Sequence, residues 1–194
     1  MTIGWPQISG LFRLTLRDPR EGAEAVLALP LPRGAVSMIF VTSVLLSTLV
    51  SGAAYVTAPP EVDPAALPEP FVAFIVQFGL SAVLIITLYW IGKLLDGQGS
   101  ISETMLIVSW LQLVILPFTV VALFFGAIST SLGVMIVAAV RLYEIWLLVN
   151  FVQALHRLSS LWQAAKMILL AIVGLALGLA LFSSVLGIGL GVGA

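Results

Sequence analysis

From Ala35 onward the sequence falls into apolar runs of about twenty residues, and that length limits what the chain can become more than any motif does. A helix rises about 1.5 Å per residue, so roughly 20 apolar residues cross the hydrocarbon of a bilayer. Five segments reach this length: Ala35 to Thr57, Phe71 to Ile91, Thr104 to Phe125, Leu132 to Val152, and Met167 to about Leu186. They are twice as long as membrane strands and do not alternate, which disfavours a closed barrel. Composition agrees with lipid as the solvent. The 194 residues are 61% hydrophobic and 9% charged, with a mean hydropathy of +1.19. A soluble domain is about half apolar and about a quarter charged. The expected architecture is an all-α membrane protein. It is a five-transmembrane-helix bundle over 35–190, preceded by a short amphipathic N-terminal region over 1–34.

The connections carry their own signals. Ala58 to Pro70 holds five prolines and three acidic residues and reads as an extended loop. Asp96-Gly97-Gln98-Gly99 breaks the chain between the second and third spans, and Gly126 to Ser131 reads as a tight turn. Ser100 and Glu103 have capping-box spacing, as do Ser160 and Gln163. Every basic residue except Arg141 falls before the first span or in the connections after the second and fourth. The positive-inside rule then places the N-terminus in the cytoplasm and the C-terminal GIGLGVGA outside. No cleavable signal peptide is expected, because the first long apolar run begins only at Ala35. Six arginines against two lysines lean towards a bacterial source, hence a bacterial inner membrane.

Two short helices are expected ahead of the spans. Ile8, Leu11, Phe12 and Leu16, interleaved with basic residues, fit a helix lying on the inner leaflet, its cations towards anionic lipid. Asp18, Pro19 and Glu21 supply the N-cap, first helical position and capping-box position of the second.

Chemistry-bearing residues are few. The chain has no cysteine, which removes disulfides, thiolate metal sites and cysteine nucleophiles. A single histidine, His156, cannot build a multi-histidine metal site and reads as a solvated interfacial residue. A net charge of −1 points to no nucleic-acid partner. Inside the spans only Arg141 and Glu144 are ionisable. Arg141 lies about nine residues from the outer end of its helix, roughly 13 Å deep. Three residues apart, the two share a helix face. Gln112 of the third span lies at a depth similar to Glu144 and is a candidate hydrogen-bond partner. The pair reads as an internal ion pair that sets helix register, as a site for an anionic group, a lipid phosphate or a transported solute, or as partly exposed to a water-filled dip. Pro117 is expected to kink the third span, and Gly174 with Gly178 forms a GxxxG that favours close helix contact. No catalytic residue, metal ligand or cofactor-binding motif is expected, since Gly97 and Gly99 match no phosphate-binding loop.

The layout resembles the Yip-one domain family, the Ypt/Rab-interacting membrane proteins, and in particular its bacterial branch. The resemblance rests on the DPR segment with its arginines before the first span, on GQGSISET with Trp110 and Pro117 following, and on FVQALHRLSSLWQAAKMIL. It implies five helices with a cytoplasmic N-terminus. It also implies a non-enzymatic role in membrane organisation or scaffolding; eukaryotic members are associated with Rab-type GTPases, but no residues here match a GTPase-binding motif. The competing reading is a small transporter, channel or lipid-binding protein built on Arg141 and Glu144. Expected partners are the bilayer itself, anionic lipid, and a second copy or another membrane protein.

Overall fold

A computed structural model describes residues 4–56 and 69–185, with side-chain surroundings over 4–53 and 69–176. Among these residues the chain forms α1 (Trp5–Arg17), α2 (Pro19–Leu27), α3 (Arg33–Val56), α4 (Pro70–Leu94), α5 (Ile101–Ile128), α6 (Thr130–His156) and α7 (Leu161–Val185). Helices α3 to α6 are long and apolar enough to cross a membrane. Over Leu161–Ala176, the part whose surroundings are described, α7 is a shorter apolar helix. The described architecture is therefore all-α with four candidate spans and one shorter apolar helix; the fifth expected span, Met167 to about Leu186, runs into the part of α7 whose surroundings lie outside the described residues. Residues 57–68 of the proline-rich loop and the C-terminal GIGLGVGA lie outside the described residues.

Local sequence explains where the helices begin. Asp18 Oδ1 accepts from the Glu21 N–H at 2.9 Å, with Pro19 opening α2. At α5, Ser100 Oγ accepts from the Glu103 N–H at 3.2 Å, and Glu103 Oε2 accepts from the Ser100 N–H at 2.7 Å. Each side chain thus satisfies a backbone donor that the first helical turn leaves unpaired. The similar spacing ahead of α7 closes only halfway. The Gln163 N–H donates to Ser160 Oγ at 3.3 Å, but Gln163 Oε1 turns to the N–H and hydroxyl of Ser159.

The turn expected over Gly126 to Ser131 shrinks to the single extended residue Ser129 between α5 and α6. Two glycines make this possible. A Cβ on Gly133 would stand 2.5 Å from the Gly126 Cα, so the helices leave the turn with their backbones touching.

Helix α5 is central and contacts α2, α3, α4 and α6; α4 and α6 each also meet α7. The ends at Arg33, Leu94, Ile101 and His156, with α1 and α2 beneath them, form the basal end of the bundle. Most of the core sits there. Val36, Phe40 and Val44 of α3, Ile85, Leu88 and Ile91 of α4, and Phe151, Val152 and Leu155 of α6 are buried. Each helix buries its basal half, whereas Phe71 to Leu80 of α4 and Val134 to Ile145 of α6 contain no buried residue.

The N-terminal helices belong to this base. In α1, Phe12 and Leu16 join the cluster around Leu111 and Phe151, and Leu11 joins Val26, Val36 and Leu106. Three of the four apolar residues expected to enter lipid thus pack on protein, with Ile8 and Trp5 left exposed. A polar lock fixes the docking: Trp110 Nε1 donates at 3.0 Å to Oγ1 of the fully buried Thr15, whose hydroxyl donates to the Leu11 carbonyl.

Candidate functional site: a polar pocket between four helices

Four helices bring polar side chains to one cavity of about 90 Å³ midway along the bundle. Helix α3 contributes Ser47 and Ser51, one turn apart on the same face, and α4 contributes Gln77. Across from them stand Gln112 and Thr119 of α5 and the pair Arg141 and Glu144 of α6. The apolar wall comes from Ile115 and Leu116. Arg141 lies eleven residues into α6, about 16 Å from its start. Pro117 sits in α5 at the level of the pocket, and α5 continues as helix across it.

Arg141 Nη1 donates to Glu144 Oε2 at 2.6 Å, the short distance of a charge-assisted bond. The pair is not sealed in the interior: 64% of the Arg141 side chain and 27% of Glu144 are exposed. Around Arg141 the α6 surface is apolar, with Val134, Val137 and Ile145 exposed. The pair therefore stands at the boundary between a hydrocarbon-facing surface and a polar cavity.

Gln112 lines the same cavity as Glu144, on the neighbouring helix, but its hydrogen bonds go to other helices. Its Oε1 accepts from the Ser43 hydroxyl at 2.8 Å, and its Nε2 donates to Ser81 Oγ at 2.8 Å. One amide thereby ties α5 to both α3 and α4, and both serines are buried. Neutral groups satisfied in this way cost little to bury. Ser47, Ser51 and Gln77 are contributors that sequence reasoning missed. The available signal was the four-residue spacing Ser43, Ser47, Ser51, which puts three hydroxyls on one face of α3.

A second cluster lies at the base. His156, expected to be solvated, is 2% exposed. The turn after α4 wraps it: Nδ1 accepts from the Gly99 N–H at 3.3 Å, and Nε2 has no partner among the described residues. A Cβ on Gly92 would overlap the imidazole, and one on Gly97 would stand 2.5 Å from Nδ1. The ring is buried because three glycines let backbone replace water around it. Arg157 adds a bond to Gln98 Oε1 at 2.8 Å, so the α4–α5 and α6–α7 turns are joined. The clasp uses two left-handed residues, Asp96 (φ 60°) and Arg157 (φ 54°), a conformation that costs about 1–2 kcal/mol without glycine.

At Gly174 an added Cβ would meet only Ile91 Cδ1, at the ordinary contact distance of 3.9 Å. Gly178 lies in the part of α7 whose surroundings are outside the described residues. Among the described residues, a backbone-to-backbone glycine approach between spans occurs at Gly126 and Gly133. Among the described residues no three His, Asp or Glu side chains are placed to hold a metal ion.

Long apolar helices around a shared polar pocket define a multi-span membrane protein. The Yip1 domain matches residues 13–184, nearly the whole chain, and the protein belongs to that family. No curated protein and no solved structure is significantly similar to it.

Proposed function

We propose that this Yip1-domain protein is a non-enzymatic organiser of a bacterial inner membrane, crossing it five times with its basal end in the cytoplasm. The composition of the pocket lining carries the non-enzymatic reading. Its one carboxylate is bonded to Arg141 at 2.6 Å, and among the described residues no histidine, lysine or cysteine lines the cavity to activate its hydroxyls or act as nucleophile. The remaining polar lining consists of hydroxyls and amides, groups suited to binding. Orientation is supported by charge: Arg13, Arg17, Arg20, Arg33, Lys93, Arg157 and Lys166 all belong to the basal helices or basal helix ends.

Because the chain is free of cysteine, single cysteines test the topology. Ala194→Cys should react with a membrane-impermeant thiol reagent in intact cells, and Arg20→Cys only after permeabilisation. The reverse pattern, or both positions on one side, would sink the five-crossing orientation. An inventory of lipids and proteins retained on gentle extraction tests the organising role. Recovery of a turnover product tied to the pocket would contradict it.

A second reading, binding of a lipid or small solute, is favoured by the exposure of Arg141 on the polar cavity. The two are compatible, since a protein can organise a membrane by holding particular molecules in it.

A further inference from the structure

Building on the reading of the pocket as a ligand site, we infer that it binds a compact zwitterion, with an anionic oxygen group on Arg141 and a primary ammonium on Glu144. Charge balance comes first. The pair already sums to zero, so a net anion would leave one negative charge uncompensated in a low-dielectric layer. A zwitterion meets both charges and adds none. The unused hydrogen-bonding capacity agrees. A guanidinium carries five N–H donors, and the structure gives Arg141 one bond, from Nη1 to Glu144 Oε2. Glu144 Oε1 has no hydrogen-bond partner among the described residues. The free donors and the free acceptor sit side by side on one helix face, held in register by the bond between their neighbouring atoms.

The ammonium must carry an N–H, and a primary one offers the most donors. A quaternary ammonium has no N–H for Glu144 and is held by aromatic faces, whereas the pocket lining contains no aromatic residue. Ser47, Ser51 and Gln77 supply neutral donors and acceptors opposite the pair. A cavity of about 90 Å³ takes one small polar group and its immediate hydrogen-bonding oxygens. Two sources share this chemistry: the ethanolamine-phosphate head of an aminophospholipid, whose tails would lie on Val134, Val137 and Ile145, and a free amino-acid-like solute.

The test begins with the parent protein, so it does not depend on any variant folding. Full-length protein is exposed to an equimolar mixture of phosphatidylethanolamine, phosphatidylcholine and phosphatidylglycerol with matched chains, and bound lipid is read by native mass spectrometry. Thermal shift is measured in parallel with millimolar phosphoethanolamine and glycine. The expected result is about tenfold preference for ethanolamine over both other lipids, the worth of one charge-assisted hydrogen bond. In Glu144→Gln, checked for folding by gel filtration, the preference over choline should disappear. Displacement of the lipid by a free zwitterion would assign the site to a solute, and resistance to both would assign it to a lipid head. A preference for phosphatidylglycerol would overturn the zwitterion but leave a ligand site. Equal retention of all three lipids, with no thermal shift from either soluble compound, would overturn the ligand reading as well.

Discussion

The two halves of helix α4 are similarly apolar and differ in their surroundings. From Ser81 to Gly92 it contributes Ile85, Leu88 and Ile91 to the core and presses Gly92 against His156. From Phe71 to Leu80 it has no fully buried residue, only Phe74 and Phe78 packing partly against the core, and Gly79 has nothing within 4 Å of an added Cβ. Helix α6 divides the same way, with Asn150 to His156 buried and Arg141 to Glu144 partly open. Hydropathy does not distinguish the halves, because lipid and core both accept leucine. What separates them is packing: glycine contacts and hydrogen bonds lock the base, and the pocket lies between that base and the contact of Gly126 with Gly133 at the far turn.

The sharpest way to break this contrast is Gly92→Ala. The new methyl would overlap the imidazole of His156, which is itself walled by Gly97 and Gly99. A loss of about 3 kcal/mol is expected, read as a lower thermal midpoint in detergent. Loss of less than a few tenths would show that the clasp is loose.

Glu144→Gln comes next. It leaves the Arg141 charge without its partner at 2.6 Å and should cost about 2 kcal/mol. The double change Arg141→Leu with Glu144→Leu should recover most of that stability and abolish bound ligand. Full stability of Glu144→Gln in both detergent and bilayer would mean that Arg141 reaches water or headgroups unaided.

Trp110→Phe removes the donor to buried Thr15 and should cost about 1 kcal/mol, with faster proteolysis of α1. Unchanged proteolysis would make apolar contact the sole anchor of the N-terminal helices. The smallest effect, of opposite sign, is expected at Gly79→Ala. Open space around Gly79 lets the helix gain up to about 1 kcal/mol from alanine.

Sequence alone was most informative where a local rule operates. Asp18, Ser100 and Glu103 cap helices because their own neighbours demand it. Four of the expected spans correspond to α3 to α6 with ends displaced by a few residues, since apolar length sets them. Arg141 and Glu144 stand out because ionisable groups are rare at that depth. Tertiary meetings were not legible. Gln112 chose Ser43 and Ser81, which lie 69 and 31 residues away, because both hydroxyls face it in the folded bundle. His156 is buried by glycines 57 to 64 residues before it, and no periodicity in either segment announces that approach. Likewise, amphipathicity in α1 identified an apolar face but not what would cover it.

The docking of that helix has a consequence in time. Thr15 leaves the ribosome 95 residues ahead of its partner Trp110. At 5–20 residues per second this is an interval of roughly 5–20 s. Throughout it, Leu11, Phe12 and Leu16 have no α5 or α6 to cover them. We propose that the same face serves twice, first against an anionic leaflet that Arg13 and Arg17 would favour and later against the bundle. Nascent chains arrested before Trp110 should hold α1 on vesicles until salt releases it, whereas in the finished protein salt should leave it in place.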